Sequence, residues 1–348
     1  MTMKKIICVA AMLALLAGCG RSRKIPDVSN IHVELKWQRF EQDFFAIDTV
    51  DIMPGLSRLR QQYPVFADDF FRNILGLSAN DSTAPVGPAL RHFLASYRPI
   101  KDSADKIFAN NQQIPDQVKQ GLRFLKYYFP AYHAPTRLIS FIGPMDAYYE
   151  ATLGGYGDII TGDALAVGLQ LHLGKNFSLY TSSMGQSLYP SYISRRFEPE
   201  YIPVNCLKNC IDDLYPDETR GRPFLEQMVD KGKRLYILDQ LLPTTPDTLK
   251  IGYTAQQLDD CYKQEGLIWN FFLENNLLYE TDPERLKSFV GDGPKTEELG
   301  DGSPGYISLF TGWQMVKKYM NAFPETSLQD LLKKDAKTIL NDSKYKPK

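Results

Sequence analysis

Of the residue spacings in this chain, that of two cysteines four residues apart comes nearest to the spacing of a metal site. Cys206 and Cys210 fall on a predicted helix, 200–215, and residues four apart on a helix share one face. Two histidines have this spacing in the His-Glu-x-x-His zinc helix, where the glutamate beside the first ligand is the general base. Leu207 stands at that position and cannot accept a proton, so hydrolysis by this mechanism is not available. We therefore expect no metal ion here and interpret the cysteines as small residues packed against a sheet.

A carboxylate on the apolar face of a later helix is the best candidate for a polar group inside a cleft. The predicted helix 254–278 has an apolar stripe that includes Trp269, and Glu265 falls within this stripe. An inward-facing carboxylate needs a partner or has a raised pKa, and both occur at functional sites. The alternative is a structural glutamate capped by a basic side chain or a tyrosine hydroxyl. The predicted cleft comprises Glu265, Cys206, Cys210, Trp269 and Tyr236.

The helix that carries Tyr236 also predicts how its neighbour packs. Apolar residues recur with helical spacing over 223–242 and place Gly232 on the buried side. A glycine there costs about 1 kcal/mol of helix propensity, which close approach of a neighbouring backbone explains. Asp230 precedes Arg234 by four residues, so we expect an ion pair on the protein surface.

The N-terminus has the pattern of a bacterial lipoprotein signal. Two lysines precede an apolar run, 6–16, that is too short to cross about 30 Å of hydrocarbon. The sequence Leu16-Ala17-Gly18-Cys19 is a lipobox, so we expect removal of 1–18 and a mature chain that begins at a lipid-modified Cys19. Several acyl chains on one cysteine give lasting attachment, at about 0.8 kcal/mol per buried methylene. The membrane is therefore a predicted partner, with 19–30 as the linker.

Composition indicates a folded globular protein without a nucleic-acid partner. The chain has 348 residues, and 40 Lys and Arg against 41 Asp and Glu give a net charge of −1, so the basic excess typical of nucleic-acid binding is missing. Cys8 leaves with the signal, which leaves Cys206, Cys210 and Cys261 besides the lipidated cysteine. An odd number excludes a complete disulfide framework, and we expect buried free thiols.

Other residue types that often do chemistry are scattered along the chain. The four histidines lack metal-ligand or catalytic-triad spacing, and neither a nucleophile elbow nor a phosphate-binding glycine loop occurs. His172 alternates with leucines on a predicted strand, and we interpret it as a surface or satisfied histidine. We therefore predict no cofactor and no catalytic residue.

The hydrophobic pattern predicts an α+β fold, mostly helical, with a small antiparallel sheet in the middle of the chain. A single domain over 31–348 would comprise a helical layer (31–135), the sheet (136–182) and a helical half (183–348). Besides an alternating strand at 31–37, the β-favouring runs are 138–142, 147–152, 159–160 and 165–173. The predicted helices are 53–63, 66–75, 86–97, 116–129, 190–197, 200–215, 223–242, 254–278, 283–289 and 306–323, followed by a short C-terminal pair over 328–340. The segment 291–305 has no apolar periodicity, and a loop of this length is usually mobile or functional.

The order of several segments resembles the gliding motility lipoprotein GldB family of Bacteroidetes. The matching segments are 163–174, 188–193, 224–236 with Gly232-Lys233, Glu265 with Trp269, Gly302-Ser303-Pro304-Gly305 before Gly312-Trp313, and the C-terminal 339–347. The resemblance implies a cell-envelope lipoprotein needed for gliding or for a related envelope task linked to secretion. In that group, acidic residues just after the lipidated cysteine accompany export to the cell surface. The basic linker 20–24 has none, which favours a periplasm-facing protein.

That family is in turn distantly similar to predicted zinc proteases with His-Glu-x-x-His on one helix and Glu-Gly on the next. The first motif falls near Cys206–Cys210 and lacks its histidines and glutamate, and lysine replaces the acid at Lys231-Gly232. We therefore expect a degenerate zincin-like domain and a non-enzymatic binding or scaffold component with envelope protein partners of the motility or secretion machinery. The alternatives are a hydrolase with a non-standard site at Glu265, Cys206 and Cys210, and a small-ligand or cell-wall receptor.

Overall fold

Helices dominate the regular structure, which confirms the predicted α+β class. The computed structural model describes residues 25–77, 86–146 and 157–348, so the predicted signal, Cys19 and the run 147–152 lie outside the described residues. The helices before residue 130 are α1 (Phe40–Phe45), α2 (Ile52–Gln62), α3 (Phe66–Asp69), continued by a π-helix over Phe70–Ile74, α4 (Val86–Phe108) and α5 (Gln113–Tyr128). Those between 170 and 255 are α6 (Ser178–Thr181), α7 (Ser183–Leu188), α8 (Ser191–Ser194), α9 (Tyr201–Leu214), α10 (Phe224–Leu241) and α11 (Asp247–Ile251). The remaining ones are α12 (Ala255–Lys263), α13 (Glu265–Glu274), α14 (Pro283–Val290), α15 (Ile307–Ala322), α16 (Leu328–Lys333) and α17 (Ala336–Ser343).

The sheet of the described residues is mixed, and the antiparallel prediction holds for only one of its pairings. Its order is β1 (Lys36–Arg39), β2 (Arg137–Phe141), β4 (Ala164–Gly168), β3 (Asp158–Ile160). β2 pairs in parallel with β1 and with β4, and β3 alone pairs antiparallel with β4. A parallel pair needs a long crossover, which the helices between β1 and β2 supply. The prediction was wrong because alternation identifies a strand but not the direction of its partner.

An aromatic cluster joins the N-terminal helices to the sheet. The ring of Phe40 lies edge-on to Phe66 and Phe70, at 5.0 and 4.7 Å between centroids, and Phe70 also meets Phe141 of β2 edge-on. These rings are all fully buried. Edge-to-face aromatic pairs add about 0.5–1.5 kcal/mol beyond the burial of their area. The segment predicted as a helical layer therefore packs on the sheet and also contributes β1 as its edge strand.

A pair of glycines marks the contact between the long helices α10 and α15. A Cβ atom added at Gly232 would overlap the carbonyl of Gly312 and lie 2.7 Å from the amide nitrogen of Trp313. A Cβ atom added at Gly312 would overlap the carbonyl of Met228. The predicted close approach of a neighbouring backbone at Gly232 is thus confirmed.

Several predicted elements end earlier or run further than the periodicity indicated. The predicted helix 254–278 is two helices, because the backbone of Gln264 (φ −112°, ψ 15°) leaves the helical region between α12 and α13. The strand predicted over 165–173 ends at Gly168 and is followed by a 3-10 turn. α4 continues past the predicted end at residue 97, with Pro99 inside it. In each case the apolar residues recur past the point where the helix or strand ends, so the hydrophobic pattern does not show where the element stops.

Candidate functional site

The two cysteines of the predicted cleft lie in the core on α9. Cys206 and Cys210 are fully buried, and α9 packs against α5 and β3. Burial raises the pKa of Cys206 well above its ordinary value and raises that of Cys210 to about 12. Both therefore remain protonated thiols at neutral pH, and the thiolate is the form that acts as nucleophile or metal ligand. Cys206, Cys210 and Cys261 are free cysteines, as predicted.

Glu265 and Trp269 of the predicted cleft contact the C-terminal segment instead. The hydroxyl of Tyr345 donates a hydrogen bond to Oε1 of Glu265 at 2.7 Å, and the ring of Trp269 lies edge-on to the Tyr345 ring at 5.1 Å. Burial, followed by the nearby carboxylate, raises the pKa of Tyr345, so it remains a donor. Glu265 therefore has the tyrosine hydroxyl partner of the structural alternative. Tyr236, the last member, is buried on α10.

A buried polar centre that the sequence did not indicate joins β3 to α9. Nε2 of His172 lies 2.9 Å from Oδ2 of Asp158, and Nδ2 of Asn205 donates to the same oxygen at 2.8 Å. The amide of Gly168 donates to Oδ1 of Asp158 at 3.2 Å, and Nδ1 of His172 lies 3.2 Å from the Glu198 carbonyl. A buried carboxylate needs such partners, because it has lost its water.

The polar centre has the residue types of a catalytic dyad but the burial of a structural one. The side chains of His172 and Asp158 are each 1% exposed, so both are shielded from solvent. His172 is satisfied, as predicted, but it follows a 3-10 turn and does not lie on a strand. Asp158 and Asn205 are 47 residues apart, and no local spacing connects them.

A second buried network surrounds Arg234, where we expected a surface ion pair. The Arg234 side chain is fully buried and donates from Nε to Asp230 at 2.7 Å and from Nη1 to Asp212 of α9 at 2.8 Å. Its guanidinium lies over the ring of Tyr215 at 4.8 Å. The predicted pairing of Asp230 with Arg234 is confirmed, but the predicted surface position is wrong. Spacing identified the partner, whereas α9, which covers the pair, is remote in sequence.

Lys231 stands where the second protease motif would have its acid, and it is committed to an ion pair. Its ammonium group donates to the carboxylate of Asp217. Burial by itself would raise the pKa of Asp217, but the hydrogen bonds from Lys231 and Thr219 outweigh it and lower this pKa to about 2. Lys231 therefore acts as a cationic partner of the loop that follows α9.

Lys208, between the two cysteines on α9, is buried within electrostatic range of Arg196 and Asp292. Burial, followed by the charge of Arg196, lowers the pKa of Lys208 to about 7. Arg196 in turn forms an ion pair with Asp292, at the start of the segment 291–305. This ion pair holds the start of the segment against the turn between α8 and α9.

The segment 291–305 forms one wall of an open cleft. The hydroxyl of Thr296 donates to the Pro304 carbonyl at 2.7 Å, and the hydroxyl of Tyr253 donates to the Gly305 carbonyl at 3.1 Å. A Cβ atom at Gly305 would overlap the backbone of Gly293, so the two ends of the segment lie in contact. This loop, predicted to be mobile or functional, is held by hydrogen bonds within the segment and by the one from Tyr253.

The cleft itself lies between this wall and the helices α12, α13 and α15. Its volume is about 450 Å³, which is within the range of about 300–1,000 Å³ typical of ligand pockets. Its lining residues are Asp260, Cys261, Gln264, Leu267, Ile268, Phe271, Glu298, Leu299, Gly302, Ser303, Pro304 and Ile307. These do not include the five residues predicted for the cleft, although Gln264, directly before Glu265, and Leu267 of α13 belong to the lining. The sequence signal that could have indicated it was the aperiodic loop.

The described residues contain no group of three or more His, Cys, Asp or Glu side chains arranged to hold a metal ion. Over the same ranges, every helix is too short or too polar to cross a bilayer.

Fold and site together define an α+β protein with polar networks buried in its core and a cleft, partly apolar and partly acidic, that is open to solvent. The profile of the family described as gliding motility protein GldB matches residues 21–347, so the chain belongs to that family. This match confirms the resemblance seen in the sequence and associates the protein with gliding motility and the cell envelope. No curated protein and no solved structure matches the chain. The distant relation to zinc proteases stays a prediction.

Proposed function

We propose that this protein is a lipid-anchored envelope component of the gliding motility type that acts by binding and not by catalysis. The observation that carries the proposal is the lipobox ending at Cys19, directly ahead of a chain that matches the family over 21–347. A lipid on Cys19 would hold the protein at a membrane, where it serves protein partners of the motility or secretion machinery. The basic linker 20–24, without acidic residues, favours a body that faces the periplasm.

The two cysteines of the signal region provide a matched test of the anchor. We expect Cys19→Ser to abolish incorporation of labelled palmitate and to release the protein from the membrane fraction. Cys8→Ser, which changes the other cysteine of the same region, should leave both unchanged. Palmitate incorporation into the Cys19→Ser protein would contradict the anchoring proposal.

The non-catalytic part of the proposal is supported by the state of the residues that an enzyme would need. Burial keeps Cys206 and Cys210 protonated, and Glu265 accepts a hydrogen bond from Tyr345. Lys231, in place of an acid, is paired with a carboxylate. None of these groups is poised to activate water or to attack a substrate.

Complementation of gliding in cells that lack the protein tests this part. We expect Glu265→Gln, which keeps an oxygen to accept the Tyr345 hydrogen bond, and Cys206→Ala to restore gliding. The melting temperature of each purified variant separates a stability defect from a chemical one. Loss of gliding in Glu265→Gln at unchanged melting temperature would instead support a hydrolase.

A further inference from the structure

We propose that the cleft between α12, α13 and the segment 291–305 binds a protein partner through an apolar peptide segment that carries lysine or arginine. This inference rests on the binding role proposed above and names the site and the chemistry of the partner.

The apolar part of the cleft comes from side chains that point outward from well-packed helices. Phe271 of α13 and Leu299 of the wall are partly exposed in the lining, whereas Ile268 of α13 and Ile307 of α15 are buried. Leu267 belongs to the lining and is 68% exposed. A large apolar side chain is therefore in contact with water at the edge of the cleft. Covering such a surface is favourable by about 25 cal/mol per Å² of apolar area. A cleft lined by apolar side chains and a few polar groups is the usual form of a binding site.

The charges around the cleft determine the sign of its partner. The lining includes the carboxylates of Asp260 and Glu298 but neither lysine nor arginine. The ranges 255–274 and 295–307, which supply most of the lining, contain seven acidic residues and two basic ones, although the whole chain has a net charge of only −1. The cleft is therefore a local concentration of negative charge, which attracts a cationic partner.

The two basic residues of these segments are already occupied. Lys263 pairs with Asp259 at 2.5 Å, and Lys295 pairs with Asp301 at 2.7 Å. Asp260 and Glu298 instead accept hydrogen bonds from neutral donors, the amide of Gln256 at 2.9 Å and the hydroxyl of Ser288 at 2.6 Å. Neither carboxylate forms an ion pair with a described residue, although the charge of Lys263 is close enough to interact with Asp260. A partner's lysine or arginine would therefore complement them.

The wall of the cleft is preorganised for binding. Ser303 donates to the carbonyl of Gly300 at 2.8 Å, and its oxygen accepts from the amide of Thr296 at 3.2 Å. Together with the ion pair of Arg196 and Asp292, these contacts hold the loop in place before a partner arrives. A preorganised wall lowers the entropy loss of binding, so a short peptide segment is a sufficient occupant.

Two exposed leucines on the same helix allow a matched test. Leu267 lines the cleft, whereas Leu273, 45% exposed on α13, does not belong to the lining. Leu267→Lys and Leu273→Lys add the same charge to the same helix, so their long-range electrostatic effects are similar. Only Leu267→Lys places a cation where the proposal requires the partner's apolar side chain and cation.

The experiment measures binding of a fluorescently labelled synthetic peptide of leucines and lysines to the purified mature chain, by fluorescence anisotropy. We expect Leu267→Lys to weaken binding at least about tenfold, Leu273→Lys to leave it unchanged, and a peptide with glutamates in place of the lysines not to bind. Asp260→Asn and Glu298→Gln should each weaken binding and reduce its dependence on salt. Equal melting temperatures confirm that each variant is folded.

Three results would overturn the inference. The first is that the Leu267→Lys and Leu273→Lys variants bind the lysine peptide equally well, and the second is that the glutamate peptide binds as tightly as the lysine peptide. The third is concentration-dependent self-association of the protein that Leu267→Lys abolishes, since the occupant of the cleft would then be a second copy of the chain. Binding is measured on purified protein and does not depend on the anchor. Failure of the palmitate test with intact peptide binding would thus refute the proposed anchoring alone, and the reverse outcome would refute this inference alone.

Discussion

The contact between Gly232 and Gly312 makes a strong prediction about stability. Gly232→Ala inserts a methyl group where α10 meets the backbone of α15, and that methyl group would overlap the Gly312 carbonyl. Backbone atoms in the middle of a packed helix cannot rotate away, unlike the end of a flexible side chain. The substitution therefore has to separate the two helices locally or shift one of them.

The size of the effect follows from two opposing contributions. Alanine is favoured over glycine inside a helix by about 1 kcal/mol. Overpacking of a tight contact costs about 1–3 kcal/mol, and a backbone neighbour places this case at the upper end. We expect Gly232→Ala to lower the free energy of unfolding by about 2 kcal/mol. Gly312→Ala, which would overlap the Met228 carbonyl, should have a similar effect. The double variant should not be additive, because the two positions share one contact.

Urea denaturation followed by circular dichroism measures these differences, and Gly87→Ala provides the control. Gly87 also lies in a helix, α4, but the nearest atom to its added Cβ would be Nη1 of Arg91, in ordinary contact at 3.5 Å. We expect Gly87→Ala to change stability by less than about 1 kcal/mol, because the gain in helix propensity is opposed by the restriction that Pro88 places on a Cβ atom at the preceding residue. If Gly232→Ala proved as stable as Gly87→Ala, the inferred contact between α10 and α15 would be refuted.

Two further predictions concern the buried and partly buried charges. Arg234→Ala leaves Asp230, which is 4% exposed, without its buried partner, so we expect a loss of about 3–5 kcal/mol. The double variant Arg234→Met with Asp230→Leu should recover most of that loss in urea denaturation. If Arg234→Ala lowered the free energy of unfolding by less than about 1 kcal/mol, the burial of the pair would be contradicted. The folded-state pKa of Asp217, about 2, lies below its ordinary value of 3.8, so this carboxylate stabilises the fold above about pH 4, and the contribution disappears as the pH falls towards 2. Asp217→Asn should thus lower the free energy of unfolding by at most about 2 kcal/mol at pH 6 and hardly at all near pH 2. An equal loss at both pH values would show that the lowered pKa of Asp217 is not the cause of the destabilisation.

Local pattern predicted much of the helical framework. The apolar spacing of α10 placed Gly232 on the buried side, and the structure has a backbone there. The four-residue spacing identified Asp230 as a partner of Arg234. Such inferences succeed because the geometry of a single helix relates residues three or four apart whatever surrounds it.

Inferences that needed a second element were less reliable. The same spacing suggested that Asp230 and Arg234 are on the surface, since it contains no information about α9, whose Asp212 completes the network. Alternation identified strands near β2 and β4 but not their parallel pairing, which depends on the helices that connect them. The cleft was missed because its two sides, around Leu267 and Glu298, belong to separate segments.

The sequence by itself determined the buried faces of helices such as α10, the lipobox that predicts lipid attachment at Cys19, and the family, because these depend on residues close together or on the order of segments along the chain. Only the tertiary structure decided which buried groups meet. Glu265 accepts its hydrogen bond from Tyr345, 80 residues further on, and Asp158 is satisfied by His172 and Asn205 from separate elements. The physical reason is that a buried polar group is stabilised by whichever partner the folded path of the chain brings within about 3 Å, and no local periodicity encodes that path.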